Sequence, residues 1–153
     1  MREVNGDLFT HGGPIVIPTN CEVKKNGEAV MGAGLALSIA SAWPKFPAEY
    51  GAAITRFGHP DVWRWDMGDG YVWFTFPTKY HWRDSSDLDL ICSMAEKLVL
   101  IVDKIMDLNL YDWKYYQNIG LPRVGCGLGN LNWEKQVRPE LADLLDDRFV
   151  VYS

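Results

Sequence analysis

The chain has 153 residues, 48% of them hydrophobic and 23% charged, which fits one globular domain spanning residues 1–153 and excludes a disordered segment. A net charge of -5 and a pI near 5.1 argue against general affinity for phosphate backbones, which needs a basic face. Cys21, Cys92 and Cys126 are odd in number and far apart, without a CxxC pair or a Cys/His set at zinc spacing; reduced thiols and no metal site are expected.

In chain order, Ile15-Val16-Ile17 reads as a short buried strand. Gly32 to Ala42 reads as a glycine-rich turn entering a helix that stops near Pro44. Pro47 to Phe57 is a second helix, with proline in its first turn and Gly58 after its end. Val62 to Trp65 and Tyr71 to Phe76 are predicted strands, joined through Asp66-Met67-Gly68-Asp69-Gly70 as a hairpin. Leu88, Ile91, Cys92, Ala95, Leu98, Val99, Val102 and Met106 recur at three and four and give one apolar helical face, with Ser86 and Asp89 as a candidate capping box. Asn118 to Leu121 is a short strand. Trp133 to Leu145 is a helix that Pro139 either starts or kinks, and Phe149 to Tyr152 is a final strand. Strands alternating with helices imply a layered α/β domain with a largely parallel or mixed sheet. Met1-Arg2-Glu3-Val4 does not read as a signal peptide, and no apolar run approaches spanning length; a cytoplasmic protein without membrane contact is expected.

Three loops after strands carry the candidate chemistry. In Met31-Gly32-Ala33-Gly34-Leu35-Ala36, glycines let backbone approach a ligand, and the following helix N-terminus favours anions. Alone, this segment reads equally as a turn, because it lacks the spacing of a dinucleotide fingerprint or a P-loop. Pro122 to Leu131 places Gly125, Gly127 and Gly129 in five positions, as a second phosphate nest or a flexible connection. Thr75 to Arg83 brings Lys79, His81 and Arg83 to a strand's carboxyl end, where open α/β sheets hold their ligands. His11 and His59 have no partner in the sequence and read as structural or exposed.

These segments, in this order, resemble the macrodomain family: Asn5-Gly6-Asp7-Leu8-Phe9, Pro18-Thr19-Asn20-Cys21, Met31 to Ala36, and Gly125-Cys126-Gly127-Leu128. Phe76 to Arg83, and Gly125-Cys126-Gly127 followed by Asn130-Leu131-Asn132-Trp133, are most like the branch holding terminal ADP-ribose glycohydrolase and the antitoxin macrodomains that reverse DNA ADP-ribosylation. The resemblance implies a three-layer α/β/α domain around a central mixed sheet. It implies that Asp7 accepts from the adenine amino group beside Leu8 and that Asn20 lies at the distal ribose. Gly32, Ala33, Gly34 and Leu35 would bind the diphosphate through backbone amides. Thr78, Gly125, Cys126, Gly127, Leu128 and Gly129 would complete the ADP-ribose site, and Tyr152 would stand near adenine or pack as a strand-end residue. Lys79 matches the branch's catalytic lysine, with Asn20 as the second catalytic candidate.

The activity implied is lysine-dependent removal of ADP-ribose from a modified substrate, single-stranded DNA or protein, with an ADP-ribosylated DNA base as one candidate. The alternatives are a non-catalytic reader of ADP-ribose and an ADP-ribose-1''-phosphate phosphatase. No cofactor is implied; pairing with an ADP-ribosyltransferase and a monomeric state are. Trp82, Arg83, Lys24 and Lys25 are candidate single-strand contacts by stacking and charge, with Lys24 and Lys25 reading equally as the tip of an exposed loop. One position departs from the branch: where the glycohydrolase has an aspartate two residues after its Gly-Cys-Gly, this chain has Gly129. That departure favours the antitoxin-like reading and leaves room for a binder with little turnover.

Overall fold

A computed structural model describes all 153 residues. Strands β1 (Arg2–Val4), β2 (Ile15–Thr19), β3 (Arg64–Asp66), β4 (Val72–Pro77), β5 (Ile119–Pro122) and β6 (Phe149–Tyr152) form one sheet in the order β1-β6-β5-β2-β4-β3. Every neighbouring pair is parallel except β3 with β4. The sheet is therefore mixed. The carboxyl ends of its five parallel strands share one rim.

Helices cover both faces: α1 (Gly34–Ala42), α2 (Phe46–Phe57), α3 (Leu88–Asp107) and α4 (Arg138–Leu144). Side-chain alternation along the strands feeds two separate cores. Val16, Phe74, Phe76, Ile119, Leu121, Phe149 and Val151 pack with α3 and α4. Ile17 and Trp73 point the other way and pack with Ile39, Phe46, Tyr50 and Ile54 of α1 and α2. The result is the expected α/β/α sandwich. The periodic face of α3 is buried through Ile91, Met94, Ala95, Leu98, Val102 and Ile105, so Met94 and Ile105 join the core while Cys92 and Val99 stay at its edge.

Several local expectations shift. The cap of α3 is Asp87, whose carboxylate accepts from the Leu90 amide; Ser86 lies one residue earlier, with its hydroxyl buried and unpartnered. The strand predicted from Val62 begins at Arg64, because the Trp63 amide donates to the Thr75 hydroxyl rather than to a neighbouring carbonyl. Between Trp133 and Leu145 the chain first makes a π-helical turn over Trp133–Val137, and Pro139 then sits in the first turn of α4, so it starts that helix. Gly58 ends α2 in the left-handed region, as its place in the sequence implies. Strand β1 has three exposed residues, so it carries no alternation to read. It is held by pairing with β6 and by Glu3, which accepts from Arg138 at 2.7 Å and from the Trp133 indole at 2.9 Å. No helix is long and apolar enough to cross a membrane.

The capping assignment has a direct test. Asp87→Ala is expected to lower unfolding stability by about 1 kcal/mol. Ser86→Ala is expected to be neutral or stabilising, since it removes a buried hydroxyl with no partner. Urea unfolding of the two variants separates the roles.

Candidate active site at the carboxyl rim

The rim opens on a cavity of about 560 Å³ between the ends of β2, β4 and β5 and the start of α1, a size that suits a small-molecule ligand. Three chain segments build it. The first runs through Met31, Gly32, Ala33, Gly34 and Leu35 into α1. Ala33 is extended at the N-cap and makes no side-chain cap, so the first amides of α1 keep free hydrogens. Gly34 has φ of +58°, a conformation that favours glycine.

The second wall is the loop after β5, with Gly125, Cys126, Gly127, Leu128 and Gly129. Gly125 has φ of +78°, and a Cβ there would press on Ile91. The third wall is the end of β4. The Thr78 amide donates to the Thr19 carbonyl at 2.9 Å, and its own carbonyl accepts from the Asp87 amide at 2.8 Å. These bonds set the exit of Lys79 into the cavity. Lys79 is half-buried, and its Nζ donates to the carbonyls of Asp84 at 3.1 Å and Trp82 at 3.4 Å in bonds open to solvent.

Asn20 also lines the cavity, but its amide is already engaged: Nδ2 donates to the Val30 carbonyl at 3.1 Å and Oδ1 accepts from the Glu22 amide at 2.9 Å. It pins the 20–30 loop and has one hydrogen and one lone pair to spare. Asn20, Gly32, Ala33, Gly34, Leu35, Thr78, Lys79 and all of Gly125 to Gly129 thus converge in one cavity.

Asp7, Leu8 and Tyr152 do not line it. They stand farther along the rim, past β1 and at the end of β6. Asp7 Oδ1 caps the short 3-10 turn Leu8–Thr10 through the Phe9 amide at 2.9 Å. Leu8 is buried beneath that turn. The Tyr152 hydroxyl meets His11 Nδ1 at 2.8 Å. His11 Nε2 faces the Asn118 carbonyl at 2.9 Å; a carbonyl only accepts, so Nε2 donates, and in the neutral ring Nδ1 accepts from Tyr152. His11 is therefore structural, and His59 is exposed. Exposed Arg123 bridges the two parts of the rim: it lines the main cavity and also a small cleft of about 120 Å³ beside Glu3, Val4, Asn5 and Ser153. The sequence reading assigns no site role to Arg123 or Ser86, both of which line the cavity. Arg123 carries a usable signal, as a cation opening a glycine loop at a strand end; Ser86 reads in the sequence only as a helix cap.

No family model matches the chain. A curated relative, the DNA ADP-ribosyl glycohydrolase of Thermus aquaticus, is 31% identical over 146 residues, which is 90% of this chain and 37% of the relative. The chain thus spans a little over a third of that relative's length. The macrodomain of Thermus aquaticus DarG superposes with a TM-score of 0.73 at 27% identity, over 99% of this chain and 95% of that one. The chain has the macrodomain fold, of the DarG type. Thermosipho africanus DarTG, solved in complex with ADP-ribose, shares the fold, with a TM-score of 0.70 at 24% identity over 98% of this chain and 40% of that one.

Within this macrodomain, two features limit the chemistry of the cavity. Burial raises the thiol pKa of Cys126, against a smaller opposing pull from Arg123, so Cys126 stands as a neutral thiol and not as a nucleophile. Cys21 is pushed up to about 11 by the same cause. Gly129 has no room for a side chain: a Cβ there would overlap the Ser86 hydroxyl and the Gly125 carbonyl. An aspartate cannot stand there unless backbone moves.

Gly129→Ala is accordingly expected to cost roughly 1–3 kcal/mol of stability through overpacking. Gly129→Asp is expected to cost at least as much without raising turnover. Thermal unfolding of both, with release of ADP-ribose measured alongside, checks this.

Proposed function

We propose that this macrodomain binds ADP-ribose along the carboxyl rim and removes it from a modified substrate, an ADP-ribosylated DNA base, with Lys79 as the essential group. The observation that carries the reading is the meeting of Lys79 with two glycine-rich backbone segments and a helix N-terminus in one cavity. A diphosphate needs preorganised donors, and backbone amides supply them without a basic surface. In this reading residues 1–153 act as one macrodomain, with the diphosphate between Gly32–Leu35 and Gly125–Gly129, the distal ribose at Asn20 and Thr78, and adenine toward Asp7, Leu8 and Tyr152. The name of the Thermus aquaticus relative supports DNA as the substrate class.

In the proposed step the neutral Lys79 amine attacks the anomeric carbon of the distal ribose. The bond to the base breaks, the base leaves with the electron pair and takes up a proton, and water then displaces the amine to release ADP-ribose. A second reading, a reader that binds ADP-ribose with little turnover, is favoured by the closed space at Gly129, which leaves the cavity without a carboxylate at that point to activate the water.

Free ADP-ribose is expected to bind with micromolar affinity, about -8 kcal/mol, and Asp7→Ala to weaken it by roughly 1–3 kcal/mol. Calorimetry that detects no binding by the parent protein overturns the reading. Lys79→Ala is expected to lose at least about a hundredfold in turnover on an ADP-ribosylated single-stranded oligonucleotide while ADP-ribose affinity stays within a few-fold, the pattern of a contact made mainly in the transition state. Lys79→Arg should fail as well, because a guanidinium stays protonated. Borohydride trapping of a protein–ADP-ribose adduct is the expected sign of the covalent route. Full activity of Lys79→Ala would exclude the lysine mechanism.

A further inference from the structure

The chain has seven tryptophans, and six are accounted for by packing. Trp43, Trp63, Trp65 and Trp73 form an edge-to-face cluster with Phe46 and Tyr50. Trp133 is buried with its indole nitrogen on Glu3, and Trp113 is half-buried. Trp82 alone is exposed, at 60%, and it lies on the wall of the main cavity. Leaving so large an apolar ring in water forgoes the burial that stabilises the others.

Its place in the chain is equally specific. The Trp82 carbonyl accepts from Lys79 Nζ, so the ring stands within three residues of the proposed nucleophile, on the same turn. Tyr80, 52% exposed, His81 and Arg83 surround it in sequence, all on the surface. Tyrosine, histidine, tryptophan and arginine are the side chains that stack on planar bases. The surface carries net negative charge, so affinity for a strand has to come from stacking more than from neutralised phosphates.

We propose that Trp82 is the specificity-determining residue for the leaving group: its indole face receives the nucleobase that carries ADP-ribose, while the ADP-ribose half occupies the cavity. The proposal rests on the function proposed above. A nucleobase rather than a protein side chain is the partner, because every base offers a flat π-face, whereas the carboxylate and hydroxyl side chains of a modified protein have no ring to stack. The contact also orients the scissile bond toward Lys79, since the two residues share one turn.

The test compares two ligands in the Lys79→Ala background, where turnover does not consume the substrate: free ADP-ribose and an ADP-ribosylated single-stranded oligonucleotide, with affinities read by calorimetry. If hydrolysis persists in that background, the same comparison is made with the parent protein as KM for the oligonucleotide against the inhibition constant of ADP-ribose. The oligonucleotide is expected to bind roughly tenfold more tightly than ADP-ribose, equivalent to about 1.4 kcal/mol and within the range for stacking on one base. Adding Trp82→Ala should abolish that difference, adding Trp82→Phe should keep most of it, and raising the salt should change it little. Equal affinity for the two ligands, or a difference that survives Trp82→Ala, overturns the proposal. So does an ADP-ribosylated peptide that gains the same Trp82-dependent advantage. Failure of both ligands to bind overturns instead the function on which it rests.

Discussion

The parallel pairing of β2 with both β4 and β5 is the constraint on which the rest of this molecule depends. Parallel strands end on the same side, so three loops that are far apart in the chain are delivered to one rim. The registration is held by burial as much as by the ladder. Val16 and Ile17 are fully buried on opposite faces of β2; on β4, Phe74 pairs with Val16, and Trp73 lies in the same core as Ile17. A slip of one residue would exchange the two cores. Beyond the strands, the bonds of Thr78 to Thr19 and Asp87 carry the same registration into the loop that bears Lys79.

The electrostatics of the rim follow from that arrangement. The protein is acidic overall, yet the cavity faces its ligand with amides: the uncapped start of α1 on one side and a run of glycines on the other. Backbone donors are fixed by the fold and contribute no net charge, so attraction for a diphosphate is local and does not extend to nucleic acid in general. Arg123 and Lys79 are the cationic side chains on the cavity wall. This division fits the proposed engagement of one modified nucleotide, rather than a strand along its length.

Ser86 and Gly129 show how closely the cavity wall is packed. The two meet so tightly that no side chain fits at position 129, while the serine hydroxyl is left without a hydrogen bond. Burial likewise disfavours the thiolate of Cys126, so the proposed reaction draws on Lys79 and water. The difference from a branch member with an aspartate at this point is therefore built into the backbone path of the loop.

Much of this was legible in the residues themselves. The three- and four-residue spacing from Leu88 to Met106 specified α3, Gly58 marked the end of α2, and the ordered glycine segments carried the family resemblance. Each of these is a local signal, set by helical period or by a backbone angle that glycine adopts without strain. Tertiary structure decided the rest, because it depends on residues distant in the chain. Strand β1 exists through pairing with β6 and through Glu3 meeting Arg138 and Trp133, across more than a hundred residues. Asp87 rather than Ser86 caps α3 because Ser86 is drawn under Gly129, whose carbonyl accepts from the Ser86 amide at 2.8 Å. The separation of Asp7 and Tyr152 from the main cavity, the bridging place of Arg123 and the lack of space at Gly129 are likewise properties of how loops meet in three dimensions, which no spacing along the chain encodes.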